Sequence, residues 1–385
     1  MKQLLFIVPN FETGGTLTSL INVLSLLDRD KYASYVYAIT RFGSLKDEIR
    51  KRATIIGDNE SGRNDNIKSI RYHLFRLAKN VFKIFRRFGL DLTNLILQRE
   101  AAKIGKQGFD YVIAFQEGTA TVMASFFNQS KKIAWVRSEY SRYLQLNHCA
   151  PELDLYNKFN TIVCVSDASR DVFVKCCPEL EGNTVRVYDV LDAQRIKNLS
   201  QIIVSDMPED RKFTIISIGR LDPVKRFSLI PPIAYNLKKR GIVFRWYILG
   251  GAQETNKSEG MLIQNKIREY GVEDVVVMLG RKTNPYSYLR RSNLLVSLSS
   301  SETFNYTLTE AKIMGVPVVT TDYSCAKESI RHKDEGIITS LDGLQGAIEE
   351  IIFNEELYDH MKKVLSEYQY DAKSAMFDIY NKVLV

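Results

Sequence analysis

The chain has 385 residues, 45% hydrophobic and 25% charged, which is enough for two domains with buried cores and excludes a disordered or low-complexity chain. Lys and Arg outnumber Asp and Glu by 53 to 45, a formal net charge of +8, yet no apolar run approaches the length of a transmembrane helix. Five cysteines, at 149, 164, 176, 177 and 325, show no CxxC spacing and no nearby His pairing, so a zinc site is not expected and a reducing cytoplasm fits best.

Met1 to Pro9 has the look of a signal peptide, but its apolar run stops at Pro9 and Asn10 and Glu12 follow without a small-residue cleavage site. Leu4 to Val8 is expected as a first strand, with Gly14-Gly15 opening the helix behind it. Further strands are expected near Tyr35 to Ile39, Ala53 to Ile56, Tyr111 to Phe115, Ile133 to Val136, Thr161 to Val165 and Val185 to Val187, most of them separated by helical patterns. Asp28-Arg29-Asp30 matches a DxD metal pattern in letters but sits at a helix exit, so no metal dependence is expected. The adjacent Cys176-Cys177 reads as a helix end.

Between Ile67 and Gln107 ten Lys and Arg face two acids, a balance equal to the whole net charge. Ile67, Ile70, Leu74, Leu77, Val81, Ile84 and Phe88 recur at three- and four-residue steps, predicting a basic amphipathic helix over 67–88. Such a helix suits an anionic membrane surface, where each basic residue contributes about 1 kcal/mol; the alternative is packing on the N-terminal sheet with a solvated basic face. Nucleic acid is not expected, since no recognition motif accompanies the patch.

The domain boundary is placed near Val190, dividing the chain into 1-190 and 191-385. The second half repeats the alternation, with strands near Thr214 to Ile218, Phe244 to Leu249, Val275 to Leu279, Leu294 to Leu298, Val318 to Thr320 and Gly336 to Ile338. Two doubly wound parallel sheets follow from this pattern. The stretch from Ile348 to Val385 reads as wholly helical. Two strand-to-helix turns carry the chemistry. Arg220 and Lys225 flank the turn before a helix at Phe227 to Lys239. Glu302 enters the turn after Leu298, and Glu310 lies in a helix expected from Asn305 to Met314. Amides from Thr303 through Phe304, Asn305 and Tyr306 to Thr307, at the positive end of that helix, suit a diphosphate. A carboxylate on either side suits sugar hydroxyls. The plain alternative makes Glu302 a helix-terminus charge and Glu310 an exposed helix residue.

Gly219-Arg220-Leu221 with Lys225, then about eighty residues later Glu302-x7-Glu310-Ala311 and Gly315-Val316-Pro317-Val318-Val319, resemble the family 4 retaining glycosyltransferases of GT-B fold. Phe6-Ile7-Val8-Pro9 with Gly14-Gly15, and Val163-Cys164-Val165-Ser166-Asp167-Ala168-Ser169, extend the resemblance over most of the chain. It implies an α/β fold of two Rossmann-like domains facing across a cleft: an N-terminal acceptor domain, a C-terminal nucleotide-sugar domain, and a last helix, about 371-385, crossing back to the first. It also implies that Arg220 and Lys225 contact the diphosphate, Glu310 the ribose and Glu302 the transferred sugar. By the same resemblance Gly14 and Gly15 admit the ligands to the first loop, and Gly250 of the Tyr247-Ile248-Leu249-Gly250-Gly251 turn lies beside the base. Without it, the Gly pair is a plain tight turn.

Members often carry Gly where Thr303 and Asn305 stand, a His at the position of Arg137 and an Asp at that of Glu139. Arg137 cannot act as a base at neutral pH; it binds an acceptor phosphate or the donor, or marks a surface turn. The expected activity is retaining transfer of a sugar from a nucleotide diphosphate sugar, UDP-linked, to a glycan or lipid-linked acceptor in surface polysaccharide or glycoconjugate synthesis. No cofactor is expected, and the location is cytoplasmic, peripheral at the inner face of the cell membrane. The alternative is a noncatalytic GT-B subunit that binds glycan or steadies a partner. A nucleotide-sugar epimerase of similar fold is a further rival. An NAD-linked dehydrogenase needs a GxGxxG turn, of which Asn10 to Gly15 supplies only a Gly pair.

Overall fold

A computed structural model describes residues 1–12, 14–57, 92–128, 130–208, 212–251 and 257–385. The expected basic helix over 67–88 lies outside these residues. The chain forms two compact units, one of Met1–Leu191 with Ala372–Val385 and one of Asp192–Asp371.

The first unit holds a seven-stranded sheet in the order β3-β2-β1-β4-β5-β6-β7, every described pairing parallel. Its strands are β1 (Lys2–Val8), β2 (Tyr32–Ala38), β3 (Thr54–Ile55), β4 (Tyr111–Ala114), β5 (Lys131–Val136), β6 (Thr161–Cys164) and β7 (Thr184–Arg186). The second unit holds a six-stranded parallel sheet in the order β10-β9-β8-β11-β12-β13. These are β8 (Phe213–Ile218), β9 (Phe244–Leu249), β10 (Val276–Gly280), β11 (Leu294–Ser297), β12 (Val318–Thr321) and β13 (Gly336–Thr339). Parallel strands covered on both faces read as continuous apolar runs. Leu4 to Val8 is accordingly buried throughout.

Both sheets reverse their strand order once, at β1/β4 and at β8/β11. The carboxyl ends of the two strands at such a reversal diverge into a crevice, which is where open α/β sheets bind ligands. In the second unit this places the loop after β8 beside the loop after β11, although the two are far apart in sequence. Trp246 fills the core beneath them at 0% exposure. Its indole N–H donates to Ser217 Oγ at 3.0 Å, and Ser217 Oγ in turn donates to the Val296 carbonyl at 2.7 Å, so the polar edge of a buried ring is satisfied.

The stretch from Ile348 to Val385 is not wholly helical. One helix ends at Phe353, and Asn354 then accepts from the Leu357 amide to cap the next, Glu355–Ser366; an Asn side chain that competes for backbone donors starts a new helix here. A second interruption separates Ser366 from the Ala372–Asp378 helix. That last segment belongs to the first unit. Tyr380 stacks on Tyr32 with centroids 5.7 Å apart and accepts from the Asp28 amide at 2.9 Å, while Tyr111 and Lys131 donate to the Val385 oxygen at 2.6 and 2.7 Å. The expected helix from Phe227 begins instead as a 3-10 turn, Phe227–Leu229, followed by an α-helix at Ile230–Lys239. Pro231 and Pro232 suit the first helical turn, where no amide is needed.

Candidate functional site

The loop after β8 turns sharply. Asp222 accepts from the Val224 amide at 3.0 Å, capping a 3-10 turn at Pro223–Lys225, and Arg226 leaves it with φ 52°. The loop after β11 is stitched to this turn by the Ser300 amide, which donates to the Val224 carbonyl at 2.8 Å. Lys225 and Glu302 meet across the stitch: Lys225 Nζ lies 2.5 Å from Glu302 Oε1, their side chains 20% and 14% exposed. Ser299 Oγ donates to the same carboxylate oxygen at 2.7 Å. Glu302 is therefore not a simple helix-terminus charge. Arg220, on the same turn as Lys225, is exposed to solvent.

The helix after this loop runs Tyr306–Ile313 with Asn305 at its cap position. Its first turn carries the backbone amides expected to face an anion, and the Phe304 and Tyr306 rings meet edge to face with centroids 5.0 Å apart. Asn305, where the resembled family often has Gly, is 3% exposed. Its carboxamide points inward: Nδ2 donates to Ser297 Oγ at 3.2 Å and to the Tyr323 hydroxyl at 3.1 Å, and Oδ1 accepts from Thr307 Oγ1 at 2.6 Å. The side chain ties β11, the loop after β12 and the helix start together instead of crowding the turn.

Glu310 is 5% exposed, which overturns its reading as an exposed helix residue. The Tyr286 hydroxyl donates to its Oε1 at 3.1 Å. Burial pushes the Glu310 carboxyl up from its ordinary 4.5 to about 7, against the opposing pull of the Tyr286 hydrogen bond and the Arg195 charge. Between those values the unfolded chain ionises this group and the folded chain does not, so its contribution to stability is present below the unfolded value and lost as pH rises through about 7. The full loss is about 3 kcal/mol. Glu310→Gln should therefore gain on the parent by about that amount near pH 8 and by little near pH 4. Urea unfolding across this range measures it, and a pH-independent difference would contradict the burial account.

In the first unit Gly14 caps the Gly15–Leu26 helix that follows β1. A Cβ at Gly14 would meet nothing within 4 Å, so neighbouring atoms do not demand glycine there. Gly250 differs, since a Cβ would lie 1.8 Å from the Gly219 carbonyl oxygen. Close approach of the backbones after β8 and β9 explains that glycine without a ligand. Arg137, after β5, is not at a surface turn. Its guanidinium pairs with Asp189 at 2.5 Å, the side chains 6% and 4% exposed, and lies 4.8 Å from the Phe115 ring centroid. Ser19 Oγ also donates to Asp189, at 2.7 Å. Glu139 precedes the Tyr140–Asn147 helix and accepts from Ser141 Oγ. In Val163-Cys164-Val165-Ser166-Asp167-Ala168-Ser169, Ser166 and Ser169 form a reciprocal capping box at the start of the Asp167–Cys176 helix.

The structure thus brings Lys225 and Glu302 together, with Asn305 and the first helical turn on the same loop, and buries Glu310 in the helix that follows. Three residues escaped the sequence reading. Tyr286 and Arg195 flank Glu310, and Glu117, after β4, is 6% exposed and accepts from the Arg137 amide at 2.8 Å and from Ser138 Oγ. Glu117 carried one usable signal, a lone acid right after an apolar strand. Among the described residues no group of His, Cys, Asp and Glu is disposed to hold a metal ion, and no helix is long and apolar enough to cross a membrane.

Residues 201–365 match the family model described as glycosyl transferases group 1. Over 336 residues, 85% of this chain and 78% of the relative, the chain is 23% identical to an uncharacterized glycosyltransferase of Methanocaldococcus jannaschii. Over 157 residues, 40% of each chain, it is 29% identical to the N-acetylgalactosamine-N,N'-diacetylbacillosaminyl-diphospho-undecaprenol 4-alpha-N-acetylgalactosaminyltransferase of Campylobacter jejuni. Among solved structures, Anabaena HepE in complex with UDP-glucose is 16% identical, with a TM-score of 0.74 and full coverage of both chains. The α/β architecture of two Rossmann-like units is the GT-B fold.

Proposed function

We propose that this GT-B glycosyltransferase is a retaining enzyme of family 4 type. It moves a sugar from a nucleoside diphosphate sugar, UDP-linked, to a hydroxyl of a glycan or lipid-linked acceptor in surface polysaccharide or glycoconjugate synthesis. The observation that carries this reading is the convergence of Lys225 and Glu302 at the β8/β11 reversal, beside a helix N-terminus. In it the Asp192–Asp371 unit holds the donor and the Met1–Leu191 unit the acceptor. Lys225, Arg220 and the amides from Thr303 to Thr307 balance charge on the departing diphosphate, Glu302 accepts from the donor sugar, and Glu310 accepts from the ribose. The C1–oxygen bond to phosphate breaks while the acceptor oxygen joins C1 on the same face, and the departing phosphate oxygen takes the acceptor proton. Neither a protein nucleophile nor a metal takes part. UDP as the nucleotide is supported by the UDP-glucose bound in HepE, and a lipid-linked acceptor by the diphospho-undecaprenol in the Campylobacter relative's name.

A thermal-shift screen of nucleotide sugars tests the donor, since a ligand that binds only the native state raises apparent stability. NMR of the product then tests retention: an inverted anomeric centre rejects the mechanism, and an isomerised donor with no transfer identifies an epimerase. The basic stretch 67–88 is assigned to an anionic membrane surface at the cytoplasmic face. Charge reversal at Lys79, Lys83, Arg86 and Arg87 should abolish sedimentation with anionic liposomes, and unchanged sedimentation would reject the assignment. A noncatalytic subunit is favoured by one observation, the ion-paired Arg137 where the resembled family often has His. Absence of turnover with every donor that binds would decide for it.

A further inference from the structure

We infer that Tyr286 is a positioning residue that, aided by the charge of Arg195, holds the Glu310 carboxylate against the ribose, so that the site selects ribo- over 2′-deoxyribonucleoside diphosphates. The inference rests on the reading of Glu310 as the ribose contact. A Glu side chain has three rotatable bonds, and its carboxylate recognises a diol only if its plane is fixed. In this chain it is fixed from outside its own helix. Tyr286, on the Tyr286–Arg290 helix, is 6% exposed and spends its hydroxyl proton on Glu310 Oε1 at 3.1 Å. Arg195, on the Ala193–Ser200 helix, adds a positive charge that acts on both groups and favours the ionised form of Glu310.

The two helices that carry these groups are themselves locked. Asp192 caps one by accepting from the Arg195 amide at 2.9 Å. The other is joined to it through the Leu199 carbonyl, which accepts from Asn284 Nδ2 at 2.9 Å and from Ser287 Oγ at 3.1 Å. Tyr286 therefore orients the carboxylate, and the Arg195 charge favours its ionised form. With Oε1 engaged by the phenol, Oε2 is presented to a ribose hydroxyl. These two groups, one from each packed helix, are also the charged and titratable neighbours that favour the ionised, diol-accepting form of Glu310.

The test is calorimetry with UDP, GDP and ADP near pH 8, followed by the tightest binder and its 2′-deoxy counterpart across about pH 5.5 to 8.5. The parent protein should prefer the ribo form about tenfold, the scale of one hydrogen bond to a charged acceptor, and lose that preference as pH falls through the Glu310 titration. Tyr286→Phe, which keeps the ring, and Arg195→Met should each cut the preference about threefold or more and move its pH midpoint upward, because the ionised form loses a stabilising partner. Preference and midpoint unchanged in both variants, with a discriminating parent, would overturn the inference. Failure of the underlying reading looks different: no nucleotide binds, the parent does not discriminate, or Glu310→Ala discriminates as the parent does. Thermal unfolding of each variant identifies any loss caused by misfolding.

Discussion

Lys225→Ala should lower kcat for sugar transfer by about 10²- to 10³-fold, the scale seen when one preorganised charge-stabilising donor is removed from a reacting centre. The Lys225 side chain is only 20% exposed and its ammonium is held by Glu302, itself anchored by Ser299. It therefore enters the reaction already oriented, and its loss cannot be made good by water at the same position. Glu302→Gln should also depress transfer, since a neutral amide accepts more weakly from the donor sugar and no longer holds Lys225. The single Ala variant leaves a largely buried carboxylate without its cation, so some loss of stability is expected as well. The double variant Lys225→Met with Glu302→Gln separates the two effects: it should unfold like the parent and still fail to transfer. Full turnover in both single variants, with folding intact, would remove these residues from the mechanism.

The strands were legible because a parallel strand covered on both faces is a run of apolar residues, and β1, β8 and β11 are such runs. Adjacency was not. Nothing local in Phe213–Ile218 or Leu294–Ser297 says that these two strands pair, and the meeting of Lys225 with Glu302 followed only from resemblance to a family in which the same spacing recurs. Burial of single polar residues was hidden for a related reason. Glu310 has the sequence surroundings of an ordinary helix, and what buries it comes from the helices at 193–200 and 286–290, whose approach no periodicity encodes. Asn305 illustrates the converse. In sequence it is only a departure from Gly, whereas its three hydrogen-bonding contacts turn it into a brace beneath the helix start. Arg137 looked like a lost catalytic position because its partner, Asp189, lies fifty-two residues away.

Arg137→Met should destabilise the first unit by about 3–5 kcal/mol, the usual cost of stranding one member of a buried ion pair. Asp189 would keep the Ser19 hydroxyl but lose its guanidinium while only 5% exposed, and a carboxylate so placed must either stay charged in a poorly solvating site or take up a proton. Replacing both partners, Arg137→Met with Asp189→Leu, removes both desolvation penalties and should recover most of the loss, as exchange of buried ion pairs for apolar side chains commonly does. Urea unfolding of the two singles and the double forms a closed cycle, and a coupling energy below about 0.5 kcal/mol would mean that the pair does not hold this region. Turnover of the double variant then decides what Arg137 is for. If it folds and transfers sugar at the parental rate, the position is a structural strut between the ends of β5 and β7. If it folds and does not transfer, the guanidinium acts on the substrate, and the ion pair with Asp189 is the means by which the chain aims it.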